Sequence, residues 1–280
     1  MSIDGLIVSS TAADAEAVET IKNHHAELAG ALGSLVESVL VAAERGTEID
    51  LAHAALVEFL TEELMPHAVA EEESLYPAAA RTERARPLIE SMIAMHRVIG
   101  SLVDQIRRDR SPVRVAAAAE ALRVAFNAHL IDENDRIMPI VAADPGVSLA
   151  TVTEGMHELL GGGGDCCGGH DHGCGGHDHG AHDHGAPAEL HEHSIGGHVC
   201  QCEQDNADPV LDVREVPHSI RHATVFGAFD AVPAGGALIL IAPHDPIPLL
   251  HQLHDRSGGR IAVDYEQRGP DAWRLRLTRI

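Results

Sequence analysis

The feature that most constrains the fold is a polar pattern that occurs twice within apolar, helix-forming stretches. One copy reads HAVAEEESLYP from His67, and the other reads HLIDENDRIMP from His129, 62 residues later. In each copy a glutamate, Glu71 or Glu133, follows the histidine by four residues, which places both side chains on one face of a helix. Burying such groups without partners costs several kcal/mol each. The pattern therefore indicates that the folded interior holds something that these side chains bind.

Four long helices are predicted from the 3.6-residue spacing of the apolar positions. They run from about Ala13 to Glu44, from about Asp50 to Ala79, from Pro87 onward and from Pro112 onward. A proline suits the first turn of a helix, where no backbone N–H is needed. Short loops make neighbouring helices antiparallel. Residues 1–160 are therefore predicted to form an all-α, up-down-up-down four-helix bundle.

Histidines also interrupt the apolar stripes of the first and third predicted helices, at His25 and His96. Together with the repeated pairs, four histidines and two glutamates are expected to converge in the core. Such a set suits two metal ions, with histidines as terminal ligands and carboxylates as bridges that offset the positive charge. These ligands favour iron or manganese over a metal that prefers thiolates, and iron is the default for redox chemistry. The predicted metal ligands are His25, His67, Glu71, His96, His129 and Glu133.

The stretches HHAEL, HAVAEEESLYP, MHRVIGSL and HLIDENDRIMP resemble the hemerythrin-like, HHE cation-binding family of non-haem di-iron proteins over about residues 10–160. The resemblance implies two non-haem iron ions (Fe2+/Fe3+) bound by these six residues, with Glu71 and Glu133 bridging and room for an oxo bridge. Oxygen-carrying hemerythrins have a second histidine one turn further along the third helix, where this chain has Gly100. The resemblance thus implies binding of oxygen or nitric oxide, or handling of iron, in redox or nitrosative stress of the iron–sulfur repair type.

Residues close to the predicted ligands are assigned other roles. Glu72 lies about 100° round the helix from Glu71 and is expected to face solvent. Tyr76, five residues after Glu71, has two expected positions: contact with the residues that surround the ligands, and packing at the end of the bundle, which is favoured. Pro66 leaves the carbonyl of Glu62 without its helical partner and is expected to kink the helix just before the ligand pair.

Residues 161–208 differ in composition from both flanking segments. They contain nine histidines, nine acidic residues and all five cysteines, but no lysine or arginine. A segment so rich in glycine cannot bury a core, so a disordered linker is expected in the absence of metal. Clustered imidazole, carboxylate and thiol groups are expected to bind zinc, nickel or copper. This segment supports an alternative function, that of a metal-trafficking or metal-buffering protein.

Residues 209–280 change to short apolar runs that alternate with amphipathic stretches. The order strand, helix, strand, helix, strand, strand predicts a small α+β two-layer sandwich. The segment resembles a domain of unknown function, DUF2249, and is distantly similar to sulfur carriers of the TusA/SirA type. His218 stands where those carriers have their sulfur-bearing cysteine, so the resemblance does not extend to persulfide transfer. Asp245, directly before Pro246, is expected to cap the following helix.

Charge and motif content bear on partners and location. The chain has 20 basic and 43 acidic residues, a net charge of −23, and no basic patch for a nucleic acid or an anionic membrane. No membrane span or export signal is readable, so a cytoplasmic protein is expected. No flavin, haem or nicotinamide motif is present, so electrons or iron are expected to come from a partner protein. A binding protein is expected rather than an enzyme, and a nitric oxide or peroxide reductase at the same centre is the alternative.

Overall fold

The computed structural model describes residues 9–161 and 208–280, with the backbone alone for residues 157–161. Apart from its first and last residues, the predicted metal-binding linker lies outside the described part of the chain. The described residues begin with a mostly helical region and end with a small mixed sheet accompanied by two helices.

The helical region consists of five stretches joined by short loops. They are α1 (Ala12–Arg45); a second stretch of α2 (Asp50–Phe59), π1 (Leu60–Leu64), α3 (Met65–Ala70), π2 (Glu71–Leu75) and α4 (Tyr76–Ala79); α5 (Arg86–Arg108); a fourth stretch of α6 (Pro112–Asp132), π3 (Glu133–Ile137) and α7 (Met138–Ala142); and α8 (Leu149–Gly161). The first four stretches coincide with the four predicted helices. The fifth, α8, is an addition to the prediction.

Three turns of π-helix interrupt the second and fourth stretches, and each is followed by a proline. The N–H of the residue after each turn donates to the carbonyl five residues earlier: Met65 to Leu60, Tyr76 to Glu71, and Met138 to Glu133. The next residues are Pro66, Pro77 and Pro139, which have no N–H to continue the α-helical series. The extra residue in each π-helical turn allows the helix to continue past the missing backbone hydrogen bond. The kink expected at Pro66 therefore takes the form of a widened turn, and two further widened turns begin at predicted ligands.

Hydrogen bonds at the start of α1 connect it to the start of α8. The hydroxyl of Thr11 caps α1 by accepting from the backbone N–H of Asp14. The carboxylate of Asp14 accepts from the hydroxyls of Ser10 and Thr11, each at 2.7 Å, and from the N–H of Ala150 at 3.2 Å. These donors, the two hydroxyls first, lower the pKa of Asp14 below its ordinary value of 3.8.

Two apolar clusters fill the helical region, and a polar layer separates them. One cluster includes Leu32, Leu56, Ile99 and Leu122, and the other includes Val18, Leu75, Ile89 and Ile137. Along α1, Ile21 belongs to the second cluster, Leu28 belongs to the first, and His25 lies between them. By length and composition α1 passes as a membrane span, but more than half of its apolar stretch is buried inside the protein. The packed layers on both sides hold the polar side chains in place.

The sheet region follows the predicted order of elements. Its members are β1 (Val210–Asp212), α9 (Arg221–Asp230), β2 (Ala237–Ala242), α10 (Ile247–Arg256), β3 (Ile261–Arg268) and β4 (Trp273–Arg279). The strands are arranged β1-β2-β4-β3, with β1 and β2 parallel and the other pairs antiparallel. Alternate residues of β2 and β4, among them Leu240 and Leu275, share one core with Phe229 of α9 and Leu253 of α10.

Helix α1 crosses α9 at very close range, and this crossing joins the helical and sheet regions in one compact unit. Gly30 of α1 faces the carbonyl of Thr224, and Gly227 of α9 faces the carbonyl of Glu27. In each helix the glycine lies three residues after the carbonyl, so the contact is reciprocal. A Cβ at either glycine would overlap the opposing carbonyl, so the approach requires glycine on both helices. Arg256 of α10 adds a salt bridge to Glu27 at 3.4 Å.

Candidate metal centre

The six residues predicted as metal ligands lie together in the polar layer of the helical region. Helices α1 and α5 supply one histidine each, and the second and fourth stretches supply a histidine and a glutamate each. All six side chains are buried, and both glutamates are 0% exposed. The structure thus brings together every residue that the sequence pattern singled out. Whether these side chains can bind metal depends on the distances between their polar atoms.

Glu71 lies at the middle of the cluster, and its two carboxylate oxygens face different pairs of histidines. Oε1 is 2.9 Å from Nε2 of His67 and 3.2 Å from Nε2 of His25. Oε2 is 3.3 Å from Nε2 of His96 and 3.8 Å from Nε2 of His129. The cluster therefore has two halves, defined here as the His25–His67 half and the His96–His129 half, with one carboxylate between them.

Glu133 also reaches both halves, although more loosely. Its Oε2 is 3.5 Å from Nε2 of His129 and 3.8 Å from Nε2 of His25. Within the described residues, neither oxygen of Glu133 has a hydrogen-bond donor of good geometry. A buried carboxylate without such a partner carries a large desolvation cost.

The two glutamates differ in their affinity for protons. Burial acts to raise the pKa of Glu71, but the imidazoles of His67, His129 and His25 hold that pKa well below its ordinary range. Burial and the negative charge of Glu71 raise the pKa of Glu133 well above the ordinary range. The two buried carboxylates therefore oppose one another's charge, and a bound cation would favour the charged form of both.

The donor set fits cations. Two groups of side chains, His25–His67–Glu71 and Glu71–His96–His129, each offer ligand atoms that all lie within 4.8 Å of one another. Oε2 of Glu71 and Nε2 of His67 also lack hydrogen-bond partners of good geometry among the described residues. Metal coordination would satisfy these buried atoms, and imidazole nitrogens with carboxylate oxygens form a ligand set that iron, manganese or zinc accepts.

Hydrogen bonds behind two of the histidines fix their orientation. Nδ1–H of His25 donates to Oδ1 of Asn134 at 2.9 Å, and Nδ1–H of His96 donates to Oε1 of Glu72 at 2.8 Å. Each bond places the proton on Nδ1, so that the lone pair of Nε2 points into the cluster. The expectation that Glu72 only faces solvent is wrong: its carboxylate is 42% exposed, yet it holds a buried histidine.

The partners of these two histidines occupy matching places in the two sequence copies. Glu72 directly follows Glu71, and Asn134 directly follows Glu133. A step of 100° from a ligand leads to the edge of the buried face, where a side chain can contact the facing helix and water at once. The repeat therefore marks both positions by the same offset from a predicted bridging glutamate, but it does not identify the histidine that each one meets.

Tyr76 also belongs to the cluster, which is the less favoured of its two expected positions, and its side chain packs as well with Leu75 and Ala79 in the second apolar cluster. Its side chain is 1% exposed, its hydroxyl is 3.3 Å from Nε2 of His96, and its ring stacks on that of His96 at 5.4 Å. Burial and the negative charge of Glu71 raise the pKa of this phenol far above its ordinary range. No sequence rule based on regular α-helix places it there.

Other polar residues near the centre or in the sheet region have structural roles. Nε2–H of His53 donates to the carbonyl of Ile106 at 2.7 Å. Gly100, one turn after His96, presents no side chain, and an added Cβ there would meet only Cε of Met65 at 3.9 Å. Asp245 does not cap α10 as expected, because its carboxylate accepts a hydrogen bond from the hydroxyl of Tyr265 at 2.9 Å.

Comparison with known proteins assigns both described regions to families. Residues 16–158 match the family model described as the hemerythrin HHE cation binding domain. Residues 210–279 match the family model described as an uncharacterized conserved protein, DUF2249. The search of curated proteins and the search of solved structures each returned no match.

Proposed function

Because the chain belongs to the hemerythrin HHE cation-binding family, we propose that its polar cluster holds two non-haem iron ions within an up-down-up-down helical bundle. His25 and His67 bind the first ion, His96 and His129 bind the second, and Glu71 and Glu133 bridge them. The observation that carries this proposal is the position of Glu71, whose two oxygens face the two histidine pairs at 2.9–3.8 Å. The unpartnered oxygens of Glu133 support a second bridge.

The protein, in this proposal, binds oxygen or nitric oxide, or handles iron, in redox or nitrosative stress. When bound, iron supplies affinity for a small diatomic ligand and the capacity to exchange an electron. The protein contributes a packed, buried site with apolar layers on both sides of the six polar side chains. Gly100 adds no third histidine beside His96, so the histidines and bridging carboxylates leave coordination positions open.

The hydrogen bonds to Nδ1 keep His25 and His96 in the tautomer that can bind metal. We propose that electrons or iron are exchanged with a separate protein. The half-exposed carboxylate of Glu72 connects His96 to the surface.

The test is metal analysis of the full chain purified without added metal, followed by anaerobic loading with Fe2+. We expect about two irons per chain, a magnetically coupled pair after oxidation, and saturable spectral changes with nitric oxide or oxygen. His53→Gln is a matched control, because it removes a buried histidine outside the cluster and should leave the iron content unchanged. A colourless, iron-free protein after loading would refute the proposal.

Further measurements distinguish iron handling, ligand binding and catalytic reduction. Iron handling predicts transfer of iron from the loaded protein to a chelator or an iron-free acceptor after a change of redox state. Ligand binding predicts stoichiometric uptake of nitric oxide or oxygen without loss of iron. Many turnovers per chain with an electron donor would identify a reductase instead.

A further inference from the structure

Tyr76 is the one phenol at the cluster, and the widened turn π2 is what brings it there. Tyr76 follows Glu71 by five residues, which in a regular α-helix would place it about 140° away on the helix surface. The turn π2 contains one extra residue, so the N–H of Tyr76 bonds to the carbonyl of Glu71. Tyr76 therefore takes the direction that the fourth residue has in an α-helix, about 40° from Glu71.

The phenol oxygen lies at the spacing of metal ligands. It is 3.3 Å from Nε2 of His96, and Nε2 of His96 is also 3.3 Å from Nε2 of His129 and 3.3 Å from Oε2 of Glu71. Two donor atoms bound to one ion by bonds of about 2.1 Å, at angles between right and tetrahedral, are about 3.0–3.4 Å apart. The phenol oxygen thus stands in the same relation to His96 as the other atoms proposed to share its ion.

We infer that the hydroxyl oxygen of Tyr76 is a further ligand of the ion bound by His96 and His129. This inference rests on the proposed function, since it requires an ion in that half of the cluster. An ion held there would replace the phenolic proton, which would pass to solvent, so the oxygen would be held as phenolate. The added negative charge lies beside a cation in a buried site, where it is favourable.

The second sequence copy shows that this ligand is particular to one half. Met138 occupies the place after π3 that Tyr76 occupies after π2, and both are followed by proline. Met138 is 0% exposed and packs in an apolar cluster with Ile137 and Val141. The same kind of widened turn therefore places a phenol in the His96–His129 half and a thioether in the apolar core. The two proposed ions would then have unequal ligand sets.

The test uses the visible spectrum of the ferric, iron-loaded full chain. The chain has two tyrosines, Tyr76 and Tyr265, and the second belongs to β3 of the sheet region. We expect a phenolate-to-iron charge-transfer band, and resonance Raman excitation within that band should give ring modes of a bound tyrosinate. Tyr76→Phe should lose the band and the modes while keeping two irons, and Tyr265→Phe should keep both. Tyr76→Met, which copies the other half, should behave as Tyr76→Phe does.

The outcomes distinguish this inference from the proposed function. If the ferric protein holds two irons but shows no tyrosinate modes, the inference is wrong and the di-iron proposal stands. If no iron binds at all, the di-iron proposal fails first. Should Tyr76→Phe fold poorly, ring-deuterated tyrosine in the Tyr265→Phe chain reports on an unaltered Tyr76. The ring modes must then shift on labelling, and modes that stay in place would overturn the inference.

Discussion

The close crossing of α1 and α9 can be tested by adding a single methyl group at one of its glycines. In Gly227→Ala the added carbon would overlap the carbonyl of Glu27 and lie 2.7 Å from its Cα, whereas ordinary contacts begin at 3.4 Å. The opposing atoms belong to the backbone of a long helix, so no side chain can rotate away. The two helices must therefore move apart, by an amount on the order of 1 Å, or the crossing must open.

The expected cost combines two opposing effects. Forcing an extra carbon into a packed contact costs about 1–3 kcal/mol, and backbone against backbone places this case at the upper end. Replacing glycine by alanine inside a helix returns about 1 kcal/mol. The net loss in the free energy of unfolding is then about 1–2 kcal/mol, which lowers Tm by roughly 2–4 °C per kcal/mol.

Gly33→Ala is the matched control, because Gly33 lies on α1 three residues beyond Gly30 and an added Cβ there meets no atom within 4 Å. This variant should gain up to about 1 kcal/mol from helix propensity alone. Thermal and urea unfolding of the metal-free chains, followed by circular dichroism, would measure both changes. Limited proteolysis would show whether the sheet region separates from α1 in Gly227→Ala. If Gly227→Ala and Gly33→Ala are equally stabilised, the close crossing does not exist.

Three further predictions concern the centre and the helix ends. Glu71→Ala should lose the coupled metal pair, because Glu71 faces all four histidines, whereas His96→Ala should retain at least one ion. Iron content and magnetic coupling would distinguish the two variants. A coupled pair in Glu71→Ala would contradict the bridging role of Glu71. Glu72→Gln should weaken the binding of one ion by about tenfold, measured by competition with a chelator, while its exposed neighbour in Glu73→Gln should have no effect. Asp14→Asn should destabilise the metal-free chain by about 1 kcal/mol at pH 7, because its three donors would lose a charged acceptor. Since the folded pKa of Asp14 lies below 3.8, its contribution is complete above that pH and fades as the pH falls through the folded value. The difference between the Asp14→Asn variant and the parent chain should therefore vanish in acid, and a difference that persists there would show that charge is not its cause.

Much of the helical region follows from periodic patterns in the sequence. Polar residues inside long apolar stripes can only be buried together, so the four helices and the convergence of six side chains are readable without a structure. The sheet region is readable for the same reason, because its strands alternate with amphipathic helices. In both regions the regular spacing of the apolar residues identifies the face of each helix or strand that is buried.

The features that escaped prediction depend on departures from that period or on distant partners. Tyr76 reaches the cluster through an extra residue in π2, and the α-helical wheel assigns it to the wrong side. Glu72 meets His96 across a helix interface, and the sequence does not state which residues face each other there. The glycines of the α1–α9 crossing are 197 positions apart, from Gly30 to Gly227, so neither indicates its partner.

The two halves of the cluster also differ in the residues that support them, and this difference bears on the order in which they fill. Beside His96 lie a carboxylate, Glu72, and a phenol, Tyr76, while the corresponding places in the other copy hold an amide, Asn134, and a thioether. The half with more negative charge attracts a cation more strongly. In the proposed di-iron protein the half beside Glu72 and Tyr76 would therefore fill first and empty last. A chain that carries one ion would then be a defined species, able to accept or give up a second ion while it keeps the first.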